Sequence, residues 1–286
     1  MQHKTPADVS LRDGRFTINC LWVGLALRPL ERVCALSMLR QGHRVRIFSY
    51  GKLENVPEGI EMADARDVLP EASLLRHRKS GSPALGSNVF RYRLMEQARG
   101  LWLDLDVLLL KPIPETDDPV FGWQDPTLIN GAVLHIPKES PLLAALLDFV
   151  AEAYPVPPFY SSGKQHWLRL RKAIGLGRRV EAMRWGTFGP RALTHFAAHT
   201  NSARFARPVS VFYPIHPRES HGPFQASFDT AARLTDETIA LHLWNEKLRR
   251  PSRLRRDNPV GRLIVEPGSF VHQFAKAELG MRLTGD

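Results

Sequence analysis

Cysteine is nearly missing from this chain: Cys20 and Cys34 are its only two, among 286 residues. Two thiols cannot make a four-ligand structural zinc site without help, and the eleven histidines show no paired ligand spacing. One cysteine falls on a predicted strand and the other on the helix after it, so both are expected as reduced core thiols. Long hydrophobic runs are missing too. The most apolar N-terminal run, residues 18–27, is far short of the roughly 20 residues that a membrane span requires. The opening MQHKTPADVSLRDGRF is polar and has no apolar centre of the kind a secretory signal carries. Export and transmembrane anchoring are therefore not expected, and a cytoplasmic location is. No internal repeat and no low-complexity tract interrupts the chain.

What is present is a globular composition, 43% hydrophobic and 24% charged. Its length suits one large core with an appended C-terminal part. The formal charge is +10 and the isoelectric point near 10.0, which points to an anionic partner. A phosphorylated substrate, an anionic membrane surface and nucleic acid all meet that description. The basic residues are spread along the chain except in NEKLRRPSRLRRDN, which holds Lys247, Arg249, Arg250, Arg253, Arg255 and Arg256. Such a run is either a solvated basic face or a contact for a diphosphate or an anionic lipid surface. No aromatic-plus-basic motif of the RNA-binding sort accompanies it, so nucleic acid is not expected as a partner.

The segment FTINCLWV, residues 16–23, is β-branched and apolar and predicts a buried strand. Pro29 then opens a helix where the first turn tolerates proline, and Gly42 closes it. HRVRIFSY, residues 43–50, alternates as a second strand. A strand–helix–strand opening with short connections predicts a parallel sheet covered by helices. Residues 51–81 are turn-rich with one extended piece near Ile60, and 87–98 read as a helix stopped by Gly100. Strands follow at 120–123 and 128–136, then an amphipathic helix at 139–154. Two helices joined around TFGP fill 161–200, and a strand at 238–244 and a helix at 270–279 close the chain. The expected organisation is an N-terminal tail (1–15), a catalytic domain (16–250) and a basic C-terminal extension packed on it (251–286).

The sharpest local signal is Asp104 and Asp106 inside the apolar run LWLDLDVLLLKP. In a continuous strand, positions i and i+2 face the same side, where two carboxylates repel and lose solvation. Aspartate also has poor strand propensity. The pair becomes tolerable if it binds a divalent cation or lies at an exposed strand end. A break at 103–107 would put both acids at the carboxyl edge of a parallel sheet, where open α/β folds bind ligands. Carboxylate oxygens suit Mg2+ or Mn2+, which neutralise a bound diphosphate.

SNVFRYRLMEQARGLWLDLDVLLLKPI resembles the signature of the DxD sugar transferases: lactosylceramide α-galactosyltransferases, yeast Golgi mannosyltransferases, bacterial capsule enzymes and, more distantly, the glucosylating clostridial toxins. Their pattern of a small or acidic residue, an arginine, a helix, glycine, an aromatic and Asp-x-Asp is met by Asn88, Arg91, Gly100, Trp102, Asp104 and Asp106. Asn88 stands where several relatives carry aspartate. INCLWVG resembles their nucleotide-binding first strand, and LINGAVLH, WGTFGPRALT and LHLWNEK fall in the expected order. The resemblance implies a GT-A fold, an α/β nucleotide-sugar transferase with a mainly parallel central sheet flanked by helices. It implies that Trp22 stacks on uracil and that Asn88 and Arg91 contact ribose or sugar. Trp102 would lie beside the donor, Asp104 would hold the ribose and help position the metal, and Asp106 would ligate the metal directly. Asn130 would line the sugar or acceptor pocket. His242 becomes a candidate for the remaining metal contact, and Lys247 for the diphosphate.

The expected reaction is transfer of a hexose from a nucleotide sugar, a UDP-sugar by resemblance, to an acceptor hydroxyl with Mn2+ or Mg2+ and with retention. A glycan or lipid-linked acceptor in bacterial surface glycan synthesis is the expected partner, with peripheral contact between the basic tail and the inner face of a membrane. Two rivals stand beside this reading. An apolar strand followed by Asp-x-Asp-x-Val also opens haloacid-dehalogenase-like phosphatases, which need a later acidic pair, and Asp117–Asp118 comes too soon to supply it. A non-catalytic basic module binding polyanions would leave unexplained why two acids sit in the most apolar segment.

Overall fold

The computed structural model describes residues 14–249, 262–283 and 285. Its strands are β1 (Ile18–Trp22), β2 (Val45–Ser49), β3 (Glu61–Asp64), β4 (Leu101–Leu103), β5 (Val107–Leu109), β6 (Val120–Asp125), β7 (Leu128–His135) and β8 (Ala240–His242). The helices are α1 (Pro29–Arg40), α2 (Ala84–Glu96), α3 (Pro141–Ala151), α4 (Ser162–Ala173), α5 (Pro190–His199), α6 (Val209–Phe212), α7 (Asn245–Leu248) and α8 (Phe270–Leu279). Six strands form one sheet in the order β3-β2-β1-β4-β7-β6. β1 to β4 of that sheet run parallel, while β7 is antiparallel to both its neighbours. The fold is α/β with a mainly parallel central sheet flanked by helices, as the strand–helix–strand opening predicts.

Side chains alternate across this sheet, so each strand feeds two cores. Phe48, Trp102 and Leu134 point to a layer built with Phe90 of α2, Leu142 and Leu146 of α3, and Leu193 of α5. Ile18, Cys20, Ile47, Leu101, Leu103 and Val133 point the other way, toward Ala35 and Met38 of α1 and the aromatic pair Phe212 and Tyr213. The opposite flank of α1 carries Leu30, Val33 and Cys34 onto a second, two-stranded sheet of β5 and β8. Residues 262–283 reach the same cluster through Leu263, Val271, Ala275 and Leu283. Cys20 and Cys34 are both buried and unbridged, and burial pushes both thiols well above their usual range.

Several predicted boundaries shift for local reasons. α2 starts three residues before the predicted Ser87, because Ser82 Oγ accepts the Ala84 N–H at 3.3 Å and Pro83 O accepts that of Ser87. The strand expected at 238–244 shrinks to Ala240–His242, because Trp244 takes a left-handed conformation with φ +54°. Between α4 and α5 the chain is irregular apart from one 3-10 turn at Val180–Ala182, and Pro190 of the TFGP segment sits in the first turn of α5. Among the described residues no helix is long and apolar enough to cross a membrane.

Candidate active site

The run LWLDLDVLLL does break. β4 ends at Leu103, a turn closed by the Val107 N–H donating to Asp104 O at 3.0 Å follows, and β5 begins at Val107. The break carries the chain from the six-stranded sheet into the two-stranded one. Asp104 and Asp106 therefore sit at the carboxyl end of β4, on the seam between the sheets. Their supports come from different elements.

Asp104 belongs to the large sheet. Its backbone N–H donates to Ala132 O on β7 at 2.8 Å, and its Oδ1 accepts from Trp102 Nε1 at 2.7 Å and Arg91 Nη2 at 3.0 Å. Arg91 is itself buried. Its Nε donates to Ser87 O at 3.2 Å, its Nη1 to Gly131 O, and its guanidinium lies 4.8 Å from the Trp102 ring centre. Burial pushes the Asp104 carboxyl up, opposed by the Arg91 charge and reinforced by Asp106.

Asp106 belongs to the small sheet. The Leu243 N–H donates to its backbone O at 2.8 Å, its Oδ2 accepts the Asn245 N–H at 2.9 Å, and its Oδ1 lies 3.2 Å from His242 Nε2. Burial would push this carboxyl up as well, but the His242 imidazole and the Asn245 N–H outweigh it and hold Asp106 below the usual carboxylate range. The left-handed Trp244 turns the chain so that the N–H of Asn245 faces Asp106. The Asn245 side chain then donates to the buried Glu31 Oε1 at 2.7 Å, tying α1 to the turn.

The carboxylates of Asp104 and Asp106 and the His242 imidazole offer ligand atoms within 4.8 Å of one another. Two hard oxygen donors and one imidazole are a donor set that fits a divalent cation of the Mg2+ or Mn2+ kind. Nδ1 of His242 is buried without a hydrogen-bond partner among the described residues, and its ring centre lies 4.1 Å from that of Trp244, tilted by 48°.

The three residues open into a cavity of about 630 Å³. Asn88, Arg91, Asn130 and Lys247 line it with them, so the structure brings together seven of the nine residues singled out in the sequence. Asn88 donates to Ala84 O at 2.8 Å and lies against Gly189. Asn130 is fixed at both ends, donating to Gln124 Oε1 at 2.7 Å and accepting the Ala132 N–H at 2.8 Å. The other two stand apart. Trp102 is 2% exposed and lies under Asp104 rather than in the cavity wall. Trp22, at the carboxyl end of β1, is half-buried against the α1 side of the sheet, 6.0 Å from the Arg28 guanidinium and outside the cavity lining.

Sequence reasoning missed part of the wall: Arg184, Trp185 and Arg191 from the segment before and into α5, Gln124 from β6, and His77. Trp185 is 38% exposed, unusual for a tryptophan, and meets His77 edge-on at 5.5 Å. Its position in WGTFGP was the available signal. Asp117 and Asp118 are exposed and line no part of the cavity, so they do not join the Asp104–Asp106 pair as a phosphatase-type acidic site would require.

No protein-family model matches the chain, and no curated protein sequence matches it. Among solved structures, the chain is similar to the PaToxG glycosyltransferase with a TM-score of 0.41 and 11% identity, over 66% of this chain and 70% of that one. A likeness this distant leaves function to be argued from the residues.

Proposed function

We propose that the protein is a metal-dependent glycosyltransferase that moves a hexose from a UDP-sugar to an acceptor hydroxyl. The observation that carries the reading is the Asp104–Asp106–His242 cluster, held at a strand break and opening into a cavity of nucleotide-sugar size. Asp106 is proposed as the direct metal ligand, since its carboxyl is held ionised, with Asp104 and His242 completing the protein's share. Bound there, Mn2+ or Mg2+ supplies Lewis-acid neutralisation of the departing diphosphate.

The other roles follow from position. Lys247 shares the diphosphate charge from the cavity rim. Asn88 and Asn130 orient the sugar, Asn130 from a side chain already locked by two hydrogen bonds. Arg91 and Trp102 act mainly through Asp104, whose Oδ1 both of them hold. Trp22 as a base platform rests on resemblance, and Trp185 is the aromatic face that the cavity itself offers. In the reaction, the acceptor oxygen bonds to the anomeric carbon as the bond from that carbon to the diphosphate oxygen breaks, and the hydroxyl proton leaves with the diphosphate. No enzymic nucleophile is assigned, and retention follows the resemblance.

The proposed setting is the cytoplasmic side of bacterial surface glycan synthesis, with a glycan or lipid-linked acceptor. Most of the basic run at 247–256, proposed to touch an anionic membrane, lies outside the described residues. The test is a screen of UDP-sugars for hydrolysis and transfer, with and without Mn2+. The expected result is one donor turned over only with the metal, and a fall of roughly a hundredfold or more in Asp106→Ala at unchanged fold. Full activity in that variant, or in excess chelator, would sink the reading.

A further inference from the structure

Helix α4 is only loosely attached to the rest of the described residues. Of its twelve residues only Leu168 is buried, seated on Tyr160 and Met183. The helix nonetheless carries large apolar side chains on its outside. Trp167 is 43% exposed, Leu170 55%, Ile174 at the C-cap 61% and Leu176, two residues further on, 54%. Residues 167, 170 and 174 stand at i, i+3 and i+7, so they form one stripe along the helix, away from Leu168. An apolar stripe of this size left in water needs an occupant.

The surrounding charge says which one. The segment SSGKQHWLRLRKAIGLGRRV contains six lysines and arginines and no carboxylate. Lys172 pairs with Glu152 at 2.6 Å and Arg179 with Glu181 at 3.0 Å, which leaves the segment's net charge positive. The Arg171 guanidinium sits 4.9 Å from the Trp167 ring and Lys164 Nζ 3.8 Å from the Tyr160 ring, cations laid over aromatics beside the stripe. A short surface helix with tryptophan, leucine and isoleucine on one stripe and basic residues beside it has the form of an interfacial helix. A protein partner would have to match both a flat apolar strip and a net positive field, whereas an anionic bilayer offers both at once.

We propose that α4 docks this protein on an anionic membrane surface, with Trp167, Leu170, Ile174 and Leu176 entering the headgroup region and the segment's basic residues facing the lipid charge. The docking surface is separate from the cavity cluster and does not depend on the reaction there. It has one consequence that does rest on the transferase reading. Val180 and Trp185, which follow α4 closely, both line the cavity, so docking brings the cavity rim toward the bilayer and suits an acceptor carried on a lipid.

The test is flotation of the full chain with vesicles of phosphatidylcholine alone or with about a third phosphatidylglycerol. The wild type is expected to float with the anionic vesicles and not the neutral ones. The triple variant Trp167→Ala, Leu170→Ser, Ile174→Ser should float roughly tenfold less or worse, while melting like the wild type because those side chains are exposed. Brominated lipid should quench tryptophan emission in the wild type and less in Trp167→Phe. Asp106→Ala should float like the wild type, which separates this inference from the catalytic one. Equal flotation of the triple variant and the wild type would overturn the proposal and move the contact elsewhere. So would a wild type that ignores anionic vesicles, or a concentration-dependent dimer that the triple variant abolishes, which would mean a second copy covers the stripe.

Discussion

Replacing Arg91 by alanine tests whether this side chain is chiefly a holder of Asp104. It removes three hydrogen bonds, to Ser87 O, to Gly131 O and to Asp104 Oδ1, and the cation–π contact with Trp102. Among the described residues, Asp104 would be left with Trp102 Nε1 as its only side-chain donor. Breaking a buried ion pair by removing one partner costs about 3–5 kcal/mol. The Asp104 side chain is 29% exposed to the cavity, so water recovers part of that and roughly 3 kcal/mol is the better figure. For a chain of this size that is a fall of about 9 °C in Tm. Arg91→Lys keeps the charge but not the planar fork that spans two carbonyls and a carboxylate, and about 1–2 kcal/mol should be lost.

The second readout is the metal. Burial already pushes the Asp104 carboxyl up, and Arg91 is the main group opposing it. Without Arg91 the carboxyl rises further, more of it is protonated near neutral pH, and Mn2+ affinity falls. The sign requires affinity in Arg91→Ala to recover as pH is raised, more steeply than in the wild type. Calorimetric Mn2+ titration at two pH values alongside thermal melts would show this. If Arg91→Ala melts within about 2 °C of the wild type and binds Mn2+ with the same affinity and pH dependence, the account of Asp104 is wrong.

Three further outcomes are expected. Gly100 has φ +102° and a Cβ there would meet Thr17 O at 2.6 Å, so Gly100→Ala should cost about 2 kcal/mol or more in a denaturant melt and loosen the β1–β4 pairing. His43 is buried between Phe16 O at 2.9 Å and the Ile113 N–H at 3.1 Å, a pattern that requires a neutral ring accepting at Nε2. Burial lowers its pKa, so its contribution to stability is complete above the unfolded value of about 6.5 and is lost as pH falls from there through the folded value; His43→Gln should flatten that part of the melting profile, with His135 leaving a residue of the same sign. Asn245→Ala should keep the backbone N–H to Asp106 but cut the tie to Glu31, weakening Mn2+ binding several-fold with about 1 kcal/mol lost in stability.

Much of the frame was legible because it rests on local signals. Pro29 and Gly42 bracket α1 and the alternation in β2 reads directly; α8 falls within its predicted bounds. The strand break at Asp104 was legible for an energetic reason: two aspartates on one face of a buried strand are costly, so either a bound cation or a strand end was expected there. What stayed hidden depends on contacts distant in sequence. Nothing local says that Trp102 turns beneath Asp104 or that Arg91 spends its donors on Ser87, Gly131 and Asp104. Likewise Asn245 reaches Glu31 across 214 positions, a pairing that no periodicity encodes. Trp22 illustrates the same limit from the other side, since a strand-end tryptophan reads alike whether it faces a ligand or packs against a helix.

The seam explains why the two acids differ. Asp104 is anchored by α2, β4 and β7, and its carboxyl is pushed up by burial; Asp106 is anchored by β8 and the turn into α7, and its carboxyl is pulled down by His242 and the Asn245 N–H. Two neighbouring carboxylates with one common environment would repel and compete for the same proton. Splitting their supports between two sheets lets Asp106 remain ionised while Asp104 is neutralised by a neighbouring guanidinium. A cation entering between them then meets one carboxylate that is already charged and one whose charge Arg91 offsets. Both sheets must hold their places for the ligand atoms to converge. Substitutions at α1 or α8, which pack in one core with the β5–β8 sheet, should therefore weaken metal binding through Asp106 while leaving the Arg91–Asp104 pair intact.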